Sequence, residues 1–315
     1  MNLLKQRIIP ALILSIVALG FLIPVSIFAS THFEARITSF IVTSLLLIIV
    51  LFELFKAQRM NIYLAIIFAL ITAGATIAFP LNLFQINYLP NASNVAELTQ
   101  FSYTTLSSYV LMLAKDYISF LIILGISIVF FVLEWATKTQ MKTSDRFMRM
   151  LFIFITLYVI INAVKVLNLF ITLNWRYWVS AILIAAAYDT MGFFGGKFFG
   201  KKWIKKPFAP VISPKKTWEG FIFGVIGGSL IAFALAFGFN LFDSTNNISR
   251  YLGITSFAIL SPIVACTGDL YFSAIKRLNA IKDYSKILVG HGGFLDRFDS
   301  IIFVLFFIFL LLLLV

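Results

Sequence analysis

Two apolar stretches of this sequence contain an aspartate: Asp189 in AAAYDTMGFFGGKFFGKK and Asp269 in SPIVACTGDLYFSAIKR. A carboxylate in hydrocarbon costs about 2.5 kcal/mol or more unless it meets a partner, an ion or water, so each is a candidate functional group. Ser273, Lys276 and Arg277 follow Asp269 at i+4, i+7 and i+8, which puts all four on one face of a helix. That face joins a metal-type ligand to phosphate-type ligands. In the next segment, KDYSKILVGHGGFLDRFDS, Gly290, Gly292 and Gly293 permit a tight loop with close backbone approach, and Asp296, Arg297 and Asp299 follow. Hard Mg²⁺ takes carboxylate oxygens together with water and phosphate, so Asp269 and Asp296 are the first choices as ligands. Asp299, three residues beyond Asp296, is either a further ligand or a partner of Arg297. His291, within the glycines, is placed to contact phosphate or move a proton, though a lone histidine is as readily an ordinary hydrogen-bonding residue.

A second polar block, SPKKTWEG, runs from Ser213 to Gly220. Lys215 and Lys216 act either as topology determinants or as a clamp on phosphates. Thr217 is a helix N-cap in pattern, and Glu219 suits the first turn that follows. Ser213, Lys215, Lys216 and Thr217 together form a candidate substrate-binding face, with Glu219 beside it. Asp189 is either neutralised by a neighbouring helix or belongs to the same site. Lys115 and Asp116 read as an interfacial pair, Lys165 calls for a buried partner, and His32 has no chemical company. Cys266 is the single cysteine and reads as a small core residue, so the chain can form no internal disulfide.

The elements that must position these groups are helices in a bilayer. Of 315 residues, 61% are hydrophobic and 12% charged, against roughly 45–50% and about 25% in a soluble domain. The apolar residues fall in continuous blocks of about 20, the length of a spanning helix, without the alternation of a membrane β-barrel. The expected architecture is all-α with about nine spans: 8–29, 37–55, 61–80, 110–136, 148–172, 177–196, 218–242, 251–272 and 299–315. The first block exceeds the apolar core of a secretory signal and reads as a retained helix.

Most of the 25 Lys and Arg fall in alternate loops, including seven lysines from Lys197 to Lys216, while Pro80 to Ser108 has none. The positive-inside rule therefore places the N-terminus in the cytoplasm and the C-terminus outside. The +12 net charge fits membrane topology and anionic lipid rather than nucleic acid. The organisation divides into N-terminal membrane helices, 1–175, and a C-terminal region, 176–315, with cytoplasmic loops 197–217 and 273–298.

The order Ser273, Lys276-Arg277, Lys282-Asp283, His291-Gly292-Gly293, Asp296-Arg297 and Asp299 resembles the signature of phosphatidate cytidylyltransferases, also called CDP-diacylglycerol synthases. SPKKTWEG and GDLYFSAIKR resemble further family blocks, and the likeness covers roughly 180–300. Val289 departs from the small or turn-forming residue, often proline, usual two positions before the histidine. Gly192 and Phe193 stand where the family commonly has alanine and tyrosine, so any role of that tyrosine hydroxyl is absent.

The resemblance implies CTP and phosphatidic acid as substrates, Mg²⁺ dependence, an additional monovalent cation such as K⁺, and a homodimer. It brings Lys282 and Gly292-Gly293 into substrate binding and adds Asp283 as a further candidate. Lys276, Arg277, His291 and Arg297 join Asp269 and Asp296 as expected catalytic groups. The expected setting is a bacterial plasma membrane with the site facing the cytoplasm. A CTP-dependent polyprenol kinase and an ion-coupled transporter are the competing readings; the paired-aspartate run of a CDP-alcohol phosphotransferase is not in the chain.

Overall fold

A computed structural model describes residues 9–29, 32–77, 103–137, 141–285 and 292–315. Ten helices make up almost all of them: α1 (Ile9–Ala29), α2 (Phe33–Ala57), α3 (Ile62–Ile77), α4 (Tyr103–Ala114), α5 (Tyr117–Thr137), α6 (Thr143–Leu173), α7 (Trp175–Phe199), α8 (Trp218–Gly238), α9 (Asn247–Leu278) and α10 (Leu295–Leu314). Among the described residues there is no strand, only an isolated bridge between Ala209 and Ser213. Among the described residues seven helices, α2 and α5 to α10, are long and apolar enough to cross a membrane; the expectation was nine spans over the whole chain. The chain is an integral membrane protein.

The fourth expected span, 110–136, is two helices rather than one. Asp116 breaks it because its carboxylate caps a new helix, Oδ1 accepting from the Ser119 N–H at 3.1 Å. Its other oxygen takes the ammonium of Lys165 at 2.8 Å, with both side chains buried. Asp116 is therefore a helix break held by a buried ion pair with Lys165 rather than half of an interfacial pair, while Lys115 beside it stays exposed. Lys165 has the buried partner its sequence position called for.

α6 is the central helix, with nearly every side chain from Leu157 to Thr172 buried, and α1, α2, α5, α7 and α10 all pack on it. At 31 residues it is about 46 Å long, more than the roughly 30 Å of hydrocarbon, a length that tilt or extension beyond the core accommodates. Near its N-terminal end Arg149 joins three other elements. Its Nε donates to both oxygens of Glu134 (2.9 and 3.1 Å), Nη1 to Asn279 Oδ1 (3.0 Å) and Nη2 to Gln58 Oε1 (2.9 Å). Arg59, held at φ 61°, adds two bonds to the Asn279 carbonyl. The ends of α2, α5, α6 and α9 are thereby fixed at one level, that of the polar loops.

The C-terminal quartet α7–α10 packs more tightly, and α7 and α8 form its longest contact. α9 and α10 close in at Gly268, where an added Cβ would lie 2.9 Å from the Asp299 carbonyl. That approach sets Asp269 beside the first turns of α10.

Candidate active site

Thr217 caps α8 as its pattern predicts, its hydroxyl accepting from the Gly220 N–H at 3.1 Å. Glu219 does more than occupy a first turn. It is fully buried, and Oε1 accepts the backbone N–H groups of Trp203 and Ile204, each at 2.9 Å. The far end of the same loop is closed by Phe208 N–H to the Lys216 carbonyl (3.0 Å) and by Phe208 stacked on Phe221, centroids 4.8 Å apart. Ser213 serves this turn, its N–H bonded to the Ala209 carbonyl at 2.9 Å.

So fixed, the loop delivers Lys216 to α9, where its ammonium lies 2.5 Å from Asp269 Oδ2. Ser273 donates to the other oxygen of Asp269 at 3.2 Å. Burial opposes the charge on Lys216, but Asp269 beside it more than offsets this and raises the lysine pKa above its usual 10.5. Arg277 ties α9 to the same loop through Nε to the Ile212 carbonyl at 3.3 Å. Asp189, on α7, lies within electrostatic range of Asp269, Lys216 and Arg297. A cavity of about 430 Å³ opens here, walled by Asp189, Phe193 and Lys197 on one side and Phe208, Lys215 and Lys216 on the other.

The expected α9 face divides in two. Asp269 and Ser273 turn to Lys216, whereas the ammonium of Lys276 bonds Asp296 Oδ1 at 2.7 Å. Asp296 Oδ2 accepts from the Tyr284 N–H (2.8 Å) and the Gly293 N–H (2.9 Å). Gly292 runs at φ +80°, and a Cβ on it would press against the same carboxylate. Asp296 thus holds the chain's entry into α10. One turn on, Asp299 accepts at Oδ1 from the Ser300 N–H at 2.7 Å, while Oδ2 has no hydrogen-bond partner among the described residues. Asp299 lies in the field of Asp269, Lys276 and Asp189. Lys282 and Asp283 are exposed at the rim. His291, with Gly290 and Val289, falls outside the described residues.

Among the described residues no three His, Cys, Asp or Glu side chains converge closely enough to hold a metal unaided. The donors nevertheless suit Mg²⁺, which takes one or two carboxylates and completes its shell with water and substrate phosphate. Asp269 already attracts a cation, and Asp299 has an oxygen to offer.

Sequence reasoning missed Glu53. It sits in α2, wholly buried, and accepts from Ser285 Oγ (2.6 Å), the Phe294 N–H (3.0 Å) and the Leu295 N–H (2.7 Å). The available signal was an acid near the end of an apolar span, which deserves the same scrutiny as Asp189 and Asp269.

Acids and cations from α7, the loop before α8, α9 and the start of α10 thus gather in one region of a helical membrane protein. The sequence pattern of the cytidylyltransferase family matches residues 5–315, and the chain belongs to that family. It is similar to the phosphatidate cytidylyltransferase of Haemophilus influenzae, 44% identical over 123 residues, 38% of this chain and 39% of the relative. The enzymes of that name from Rickettsia felis (41% over 124 residues, 38% of this chain and 52% of the relative) and Helicobacter pylori (40% over 126 residues, 40% and 42%) are also similar. The alignments thus span about two-fifths to one half of these relatives' length.

Proposed function

We propose that the chain is a phosphatidate cytidylyltransferase, converting CTP and phosphatidate to CDP-diacylglycerol and pyrophosphate. The observation that carries this reading is the contact of Lys216 with Asp269, which brings the SPKK loop onto the acidic face of α9 within range of Asp189 and Arg297. A phosphate oxygen of phosphatidate attacks the α-phosphorus of CTP in line. The new P–O bond forms as the bond to the β-phosphate bridging oxygen breaks, and pyrophosphate leaves with that electron pair. The attacking oxygen is already anionic near neutral pH, so no protein nucleophile is needed; the protein's work is to position two anions and neutralise their charge.

Lys215 and Lys216 bind phosphate from the loop side and Arg277 and Arg297 from the α9–α10 side, each as a charge-assisted donor. Lys276 holds Asp296 and, through it, the start of α10. When bound by Asp269 and Asp299, Mg²⁺ supplies charge neutralisation on nucleotide oxygens. The family resemblance extends the reading to a homodimer and a second, monovalent cation. The loop side faces the cytoplasm of a bacterial plasma membrane, where CTP is dissolved and phosphatidate arrives laterally from the inner leaflet.

The test is pyrophosphate release by purified protein in mixed micelles with phosphatidate, Mg²⁺ and CTP, UTP, ATP or GTP in turn, with lipid products weighed by mass spectrometry. Phosphatidate-dependent pyrophosphate with CTP, and a CDP-lipid of matching mass, is expected. CDP release with a phosphorylated lipid would turn the reading to a kinase, and solute movement in sealed vesicles without nucleotide use to a transporter.

A further inference from the structure

The structure assigns Glu53 as a positioning residue for the first turn of α10, which carries Asp299 and Arg297, acting as the N-cap of that helix from another helix. A helix N-terminus leaves backbone N–H groups without partners, and a residue of the same chain segment normally accepts from them. Here the residue at the local cap position, Phe294, has no side chain able to accept. The carboxylate comes instead from α2, 241 and 242 residues away in sequence, with one oxygen on the Phe294 N–H and the other on the Leu295 N–H. The first oxygen also receives the Ser285 hydroxyl from the far side of the glycine segment. Among the described residues Glu53 has no lysine or arginine partner; these three donors and the positive end of α10 stabilise its charge.

The fit leaves no slack. A Cβ at Gly293 would lie 2.6 and 2.7 Å from the two Glu53 oxygens, so the backbone approaches the carboxylate as closely as a glycine permits. Asp296 follows one residue beyond the capped amides and Asp299 one turn later. Rotation or retreat of this first turn displaces both, together with Arg297. Lys276 fixes Asp296 from α9 and Glu53 fixes the backbone beneath it, so the turn is gripped from both sides.

This inference rests on the proposed function for what Asp296 and Asp299 do, but its geometry is tested separately. Full-length wild type, Glu53→Gln, Glu53→Asp and Gly293→Ala are purified in the same micelles. Glu134→Gln is the control, a similarly buried carboxylate whose partner is Arg149. Two readouts are taken: site-resolved amide exchange at 293–295, and the Mg²⁺ activation curve with kcat and both KM values. Expected for Glu53→Gln, whose amide group presents N–H to N–H, are faster exchange at Phe294 and Leu295 and a half-saturating Mg²⁺ concentration raised about tenfold or more. The phosphatidate KM stays within about twofold, Glu53→Asp recovers part of the loss, and Gly293→Ala reproduces the signature from the other side of the contact. Unchanged exchange and Mg²⁺ activation in Glu53→Gln, or an equal change in Glu134→Gln, overturns the assignment. If Glu53→Gln does not fold, Glu53→Asp and Gly293→Ala decide by the same readouts. If wild type makes no CDP-lipid, the proposed function fails, and exchange at 294 and 295 alone decides the role of Glu53.

Discussion

The molecule contains two lysine–aspartate pairs of similar length and opposite character. Lys216, on the wall of the cavity, meets Asp269 at 2.5 Å, each side chain about a quarter exposed. Lys165 and Asp116 meet at 2.8 Å between α6 and the α4–α5 break, with 1% and 6% exposed. Under the proposed function the first pair exchanges partners, an arriving phosphate taking the ammonium and a divalent cation the carboxylate. The second is buried away from the described cavity, and its desolvation cost is offset only while both members remain. Access, rather than distance, separates a pair that works from one that braces.

The contrast is broken most directly at the buried pair. Lys165→Met should destabilise by about 3–5 kcal/mol, seen as a lower thermal melt in detergent, because Asp116 is left buried and uncompensated. Lys165→Met with Asp116→Leu should recover much of that loss, and turnover per folded molecule should stay near wild type in both. At the accessible pair the effects reverse. Asp269→Asn should lose about 10²–10³-fold in kcat with an unchanged melt, measured as pyrophosphate release. Lys216→Gln should weaken phosphate binding, raising the KM for CTP or phosphatidate about tenfold or more.

The smallest effect is in pH. Lys216 has a raised pKa in the fold, so its pair contributes fully below the unfolded value near 10.5 and is lost only as pH climbs through the higher folded value. For Asp116, burial raises the pKa, but the hydrogen bonds from Lys165 and Ser119 outweigh it and the net shift is downward. Its contribution is therefore present above about 3.8 and lost as pH falls through the lower folded value. Neither pair therefore adds a change in the melt between mild acid and mild alkali. The acid-side drop should be smaller in the Lys165→Met, Asp116→Leu protein than in wild type, and an equal drop in both would contradict the Asp116 assignment.

Most of the helices were legible because twenty-residue apolar blocks have few other uses. The groups of the C-terminal site were legible because Asp269 to Arg277 and Ser213 to Gly220 crowd charge into short windows. What escaped were partnerships across long sequence separations. Nothing near Lys115 and Asp116 shows that the acid will turn back as a helix cap and reach Lys165. Arg149 reads as a topology charge until Glu134, Gln58 and Asn279 gather around it. Glu53 was least visible, since its donors are mainly backbone amides, which no side-chain pattern reveals. The division at residue 175 follows composition within one membrane unit, and α2 reaches across it into the α10 entry.

That reach has a consequence for biosynthesis. Glu53 leaves the ribosome about 240 residues before the amides it will accept, a delay on the order of ten to fifty seconds at ordinary elongation rates. Until α10 emerges, α2 carries an acid without these partners, which is costly to hold in hydrocarbon. α10 is thus the helix that lets the earlier α2 settle, and the first turn carrying Asp296 and Asp299 takes its place only once both are in the membrane.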